Sequence, residues 1–164
     1  MEQRVLIAVI GSGVCTPDVA AVAEAVGREL ALQGATVVNG GLTGVMEAVS
    51  KGAREAGGHT IGLLPGTDAA DANQYIEFAL PTGLSHARNT IVARSADAII
   101  AIDGSYGTLS ELAFALIYNT PVIGLNTWEL AIDGKPDDSI IRATDPKDAV
   151  DKALAAAATR RQRS

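Results

Sequence analysis

Three apolar runs, each ending in a glycine-bearing turn, constrain the fold of this chain more than any other feature. Residues 5–10 lead into Gly11-Ser12-Gly13, residues 36–38 into Asn39-Gly40-Gly41-Leu42-Thr43-Gly44, and residues 97–102 into Asp103-Gly104-Ser105-Tyr106-Gly107-Thr108. Apolarity that is continuous, rather than alternating, belongs to parallel strands covered on both faces. After each turn the pattern changes to a helical one.

Thr16-Pro17 supplies a helix cap followed by proline at the first helical position, and Val19, Val22, Ala23, Val26 and Leu30 recur at helical spacing until Gly34. Val45, Met46, Val49 and Ala53 mark a second helix closed by Gly57-Gly58. Residues 60–64 read as a third strand stopped by Pro65-Gly66, 67–74 as a loop, 75–80 as a short fourth strand, and 84–94 as a helix with Ile91 and Val92 inward. Residues 109–119 predict a helix apolar on nearly all sides, buried within the domain or against a second subunit. A strand over 122–125 follows, then a polar loop through Asp138 and an edge strand near Ile140. Asp145-Pro146 opens an alanine-rich final helix whose tail, 160–163, is expected to be frayed and solvated. Strands alternating with helices imply right-handed βαβ units, and so one α/β domain over 1–164: a three-layer, Rossmann-like parallel sheet with helices on both faces. Ligands of such sheets bind beyond the carboxyl ends of the strands, where all three glycine turns fall.

Composition narrows the partner. A net charge of −6 over 164 residues argues against a nucleic acid polymer lying along the surface, but a small phosphorylated ligand responds to local amide dipoles and one or two arginines. Cys15 is alone, and with two histidines and no second cysteine no structural metal site is expected. The start of the chain lacks the pattern of a secretory signal, and no apolar run approaches the roughly 18 residues of a membrane span. A cytoplasmic protein with no membrane partner is the expectation.

The turn after residue 102 is read as a phosphate cradle. A helix beginning near Thr108 would aim unpaired N–H groups and a positive dipole end into Gly104, Ser105, Tyr106, Gly107 and Thr108. Gly11, Ser12 and Gly13, with Gly40, Gly41 and Gly44, are candidates to enclose the rest of a ligand. The first of these turns is not a dinucleotide fingerprint, because Thr16 stands where its third glycine is needed. Glu111 has two readings. It lies three residues after Thr108, the spacing of a capping box, or it is a carboxylate serving the site. Arg88 alone would pass for a solvated helix residue, and His59 and His86 lack partners at ligand spacing. Cys15 reads as a packed thiol rather than a nucleophile.

Taken together, these residues resemble the LOG superfamily, once labelled lysine decarboxylase-like. That family carries Pro-Gly-Gly-x-Gly-Thr-x-x-Glu preceded by an Arg-Lys pair, and its enzymes hydrolyse the N-glycosidic bond of cytokinin riboside 5′-monophosphates. Gly104, Gly107, Thr108 and Glu111 match the motif; Arg88 matches the arginine; Gly40, Gly41, Gly44 and Met46 match a Gly-Gly-x-x-Gly-x-Met segment. The likeness spans about residues 5–125. Asp103 and Ser105 replace the motif's proline and second glycine, Asn89 replaces the lysine, and the helix after Glu111 is shorter. These departures bring the chain closer to a branch that includes molybdenum cofactor carriers. The resemblance implies a phosphorylated nucleotide-like or pterin ligand bound without a required cofactor, a homo-oligomer, and Arg88 and Glu111 as catalytic residues if the nucleoside 5′-monophosphate is cleaved.

Overall fold

The computed structural model describes residues 4–163. Residues 1–3, at the start of the chain that lacks the pattern of a secretory signal, lie outside the described residues. Seven parallel strands form one sheet in the order β4-β3-β2-β1-β5-β6-β9: β1 (Leu6–Gly11), β2 (Thr36–Asn39), β3 (His59–Leu64), β4 (Phe78–Pro81), β5 (Ala98–Ile102), β6 (Val122–Leu125) and β9 (Ile140–Arg142). Five helices cover it: α1 (Pro17–Leu32), α2 (Val45–Glu55), α3 (Asn89–Ser95), α4 (Tyr106–Ile117) and α5 (Pro146–Arg163). This is the Rossmann-like three-layer arrangement expected from the strand and helix patterns.

The strands sort their side chains by pleat, since successive residues point to opposite faces. Ile7, Val9, Val37, Ala98 and Ile100 join Ala23, Val26, Leu30, Val49, Ala53 and Val150 in a core under α1, α2 and α5. Ala8, Ile10, Val38, Ile99 and Ala101 join Val92, Ala93, Leu112 and Ala115 in a second core under α3 and α4. Both faces of β1, β2 and β5 are therefore dry, which is why those strands read as unbroken apolar runs. On the first face, α1 and α2 touch backbone to backbone. A β-carbon on Gly27 would stand 2.0 Å from the Val49 carbonyl oxygen, and one on Gly52 would stand 1.9 Å from that of Glu24. Only glycine permits that approach.

Several elements differ from the expectation. The polar loop after β6 holds an antiparallel hairpin, β7 (Leu130–Ile132) with β8 (Lys135–Asp137). Its turn is Asp133-Gly134, with φ of 50° and 73°, the pairing of positive angles that a two-residue hairpin needs. The expected helix over 84–94 splits into a 3-10 turn, Ser85–Arg88, and α3. The tail of α5 is not frayed. The helix runs to Arg163, Arg160 donates to the Ala96 carbonyl at 2.6 Å, and Arg161 reaches the Asp97 carboxylate at 2.7 Å. Those arginines satisfy acceptors around the start of β5, a long-range pairing that local composition does not reveal.

The chain runs outward from β1 to β4 on one side of the sheet and from β5 to β9 on the other. The topological switch point thus lies between β1 and β5, where ligands of open parallel sheets are held.

Candidate functional site

The turns after β1 and β5 leave neighbouring strands, with Gly11 and Ile102 in register. The turn after β2 meets the first of them directly. The Thr43 hydroxyl donates to the Gly13 carbonyl at 2.8 Å, and the Val45 amide donates to the Ser12 carbonyl at 3.0 Å. Gly44, at φ 66°, sits so close that a β-carbon there would lie 2.3 Å from the Ser12 oxygen. Gly11, Ser12, Gly13 and Gly44 thus form one packed corner. Asn39, fully buried at the end of β2, shapes it further. Its Nδ2 donates to the Met46 carbonyl and to Ser50 Oγ, while its Oδ1 accepts from the Gly41 amide at 2.8 Å. The local signal for Asn39 is an Asx residue two before a glycine at a strand end.

Arg88 joins this corner to its neighbours. Its guanidinium donates to the Gly40 carbonyl at 2.8 Å and to the Leu63 carbonyl, tying the turn after β2 to the end of β3. Gly40 leaves room for it, since a β-carbon would stand 2.3 Å from Arg88 Nη1. Arg88 is 8% exposed, and its Nε is buried without a hydrogen-bond partner. It is not the solvated surface residue that its position in the sequence suggests.

Glu111 is not a capping residue, so that reading is corrected. Helix α4 starts three residues earlier than expected, with Ser105 as N-cap and Thr108 as the third helical residue; the Ser105 amide donates to Thr108 Oγ1 at 3.2 Å. The capping box is Ser105 with Thr108, which places Glu111 in the second turn, facing inward and 8% exposed. Among the described residues none hydrogen-bonds its carboxyl. Burial pushes the Glu111 carboxyl from 4.5 up to about 8, with the Arg88 charge pulling the other way. Burial likewise lowers the Arg88 guanidinium, and Glu111 opposes that. The two sense each other's charge without a direct ion pair between them. Asn89, beside Arg88, donates to Ser110 Oγ at 2.9 Å, and Ser110 donates to the Gly107 carbonyl at 2.7 Å, so the α3 start holds the first turn of α4.

Within the β5–α4 turn, Asp103 takes the left-handed conformation at φ 55°, Gly104 has φ 154°, and Gly107 is already helical. Tyr106 and Gly107 are the first two helical residues, whose amides precede the i−4 ladder. The turn is braced by the segment after β6. Thr127 Oγ1 donates to the Asp103 carbonyl, and Trp128 Nε1 donates to the Ser105 carbonyl at 3.3 Å. Trp128 was hidden in what looked like a polar loop, although it is the sole tryptophan. Cys15 is packed rather than activated: burial raises its thiol, and the negative Asp103 adds to that. A hollow of about 510 Å³ at the opposite, amino-terminal edge of the strands, lined by Arg4, Gly34, Gly58 and His59, includes none of these groups. Among the described residues no group of three or more His, Cys, Asp or Glu is placed to hold a metal, and no helix is long and apolar enough to cross a membrane.

With this geometry in view, the profile of the SLOG cluster4 family matches residues 4–150. The chain belongs to that family. It is 43% identical over 110 residues to an uncharacterized protein of Archaeoglobus fulgidus, covering 67% of this chain and 72% of that one. It is 38% identical over 78 residues to the cytokinin riboside 5′-monophosphate phosphoribohydrolase LOG5 of Arabidopsis thaliana, covering 46% of this chain but only 34% of the enzyme. The chain therefore spans about a third of the length of that plant relative. The structure of the molybdenum cofactor binding protein from Rippkaea orientalis superposes with a TM-score of 0.85 at 31% identity, covering 94% of this SLOG chain and 98% of the other.

Proposed function

We propose that this SLOG protein binds a small phosphorylated ligand, nucleotide-like or a phosphorylated pterin such as the molybdenum cofactor, at the switch point between β1 and β5. The observation that carries this reading is the Arg88–Glu111 arrangement: two buried, mutually sensed side chains that do not close on each other, one with an unpartnered Nε. Buried polar groups are normally satisfied, so such a pair suits a site completed by a ligand. The phosphate would lie on the amides of Tyr106 and Gly107, with Gly104, Ser105 and Thr108 shaping the approach. Gly11 to Gly13 and Gly40, Gly41 and Gly44 would wall the remainder. Each helix-end contact contributes about 0.3–1 kcal/mol at exposed positions, so useful affinity requires the turns to act together. The end-to-end likeness to a molybdenum cofactor binding protein supports binding over hydrolysis.

Retention of both Arg88 and Glu111 favours a second reading, a nucleoside 5′-monophosphate phosphoribohydrolase. Arg88 would hold the substrate. Glu111, protonated up to about pH 8, would give its proton to the departing base as water adds to the anomeric carbon. Calorimetric titration with nucleoside monophosphates and a pterin monophosphate, with chromatography for free base, separates the two readings. Binding below millimolar concentration without base release is the expected result. Base release that disappears in Glu111→Gln establishes the enzyme instead, and no binding to any of these compounds overturns both. The homo-oligomer is proposed to form through the outer face of α4, where Ile117 is 67% exposed; light scattering at micromolar concentration tests it, and a monomer refutes it.

A further inference from the structure

We propose that Tyr106 and Trp128 form an aromatic shelf beside the β5–α4 turn that stacks on the planar heterocycle of the ligand. The protein would then select phosphorylated purine- or pterin-type compounds over phosphorylated sugars. This inference rests on the ligand-binding reading above and names the part of the ligand that the buried pair does not address.

The chain has few aromatic residues: one Trp, three Tyr and two Phe. Two of them meet at this turn, with ring centroids 6.0 Å apart and planes tilted by 33°. Tyr106 is the first residue of α4 and 82% exposed, so the core gains almost nothing from its ring. Trp128 is the opposite, half-buried and held in place. Its Nε1 donates to the Ser105 carbonyl, its own carbonyl accepts from Arg142 Nη2 at 2.8 Å, and its neighbour Thr127 bonds the Asp103 carbonyl. Its indole lies against Gly104 so closely that a β-carbon there would stand 2.8 Å from Nε1. The tryptophan thus fixes one edge of the shelf and the tyrosine presents the open face. A phosphate on the Tyr106 and Gly107 amides leaves the rest of the ligand within a side chain's length of that face. Rigid aromatic surfaces stack planar heterocycles with little loss of rotamer freedom and little regard for the ring's edge chemistry, which suits purines and pterins alike.

The test is calorimetric titration of wild type, Tyr106→Ala and Tyr106→Phe with three probes: AMP, a pterin monophosphate, and ribose 5-phosphate, which has no planar heterocycle. Wild type is expected to bind at least one heterocycle-bearing probe more tightly than ribose 5-phosphate. Tyr106→Ala should weaken that binding by roughly 5- to 150-fold, the range for loss of one stacked ring. Its affinity for ribose 5-phosphate should stay unchanged, and Tyr106→Phe should behave as wild type. Because Trp128 is the sole tryptophan, its fluorescence should respond to AMP and not to ribose 5-phosphate wherever AMP binds. Equal wild-type affinity for probes with and without the planar heterocycle overturns the shelf alone, as does an alanine variant that binds the heterocycle-bearing probes normally or loses all probes equally. Wild type that binds none of the three overturns the ligand-binding reading itself, and the shelf with it.

Discussion

Replacing Glu111 with glutamine keeps the size and hydrogen-bonding capacity of the side chain but removes its ability to ionise. In the folded protein the carboxyl holds its proton up to about pH 8, against 4.5 for a free side chain. Below 4.5 both folded and unfolded forms are protonated. Between 4.5 and about 8 the unfolded chain releases the proton and the folded protein does not, so stability falls as pH rises through that window and levels off above it. At about 1.36 kcal/mol per pH unit, the full span corresponds to about 5 kcal/mol, of which roughly 2–3 kcal/mol falls between pH 6 and pH 9. Urea denaturation at those two pH values should show wild type losing about that amount, while Glu111→Gln stays level apart from changes common to both proteins. The variant should therefore be the more stable protein at pH 9. If the two proteins share one pH profile, or the glutamine variant is the less stable at pH 9, then Glu111 is not buried as a neutral acid and the argument for its role at the site fails.

Gly40→Ala would push the Arg88 guanidinium off the Gly40 carbonyl, since the new β-carbon stands 2.3 Å from Nη1 and 2.7 Å from Met46 Sδ. Ligand affinity by calorimetry should fall at least about tenfold while stability drops by about 1–2 kcal/mol; an unchanged affinity counts against Arg88 as a ligand-site residue. Gly52→Ala, with its β-carbon 1.9 Å from a backbone oxygen of α1, should force α1 and α2 apart at a cost of about 1–3 kcal/mol, read as a lower Tm. Asn39→Asp removes both Nδ2 donations and sets an acceptor against the Met46 carbonyl. It should cost about 1–3 kcal/mol in denaturation, and a neutral result would mean that the corner does not depend on that amide.

Most of the sheet was legible because strands buried on both faces carry their signal in every residue. Residues 36–38 and 98–102 needed no partner to be recognised, and the Thr16 cap, whose side chain accepts from the Val19 amide at 3.3 Å, is a purely local device. The start of α4 was less legible. Ser105 and Thr108 both suit an N-cap, and the choice fell to Ser105, whose carbonyl and amide are held by Trp128 and Thr108. That shift of three residues took Glu111 out of its capping position and turned it inward. The hairpin of β7 and β8 is poorly legible because each strand is only three residues long and the second, Lys135–Asp137, is polar and carries a proline, although Asp133-Gly134 announces the turn.

The sequence alone determined the layering of this protein, the order of its strands and helices, and the glycine corners at the carboxyl ends of the strands, because hydrophobic continuity, caps and glycine spacing act over a few residues. The tertiary structure decided how those corners work. Arg88 lies 48 residues from the carbonyl it holds at Gly40, and Trp128 23 residues from the one it holds at Ser105. Glu111 owes its proton to burial by elements distant in the chain. Desolvation and hydrogen bonding depend on what surrounds a group in space, and no local pattern encodes that surrounding.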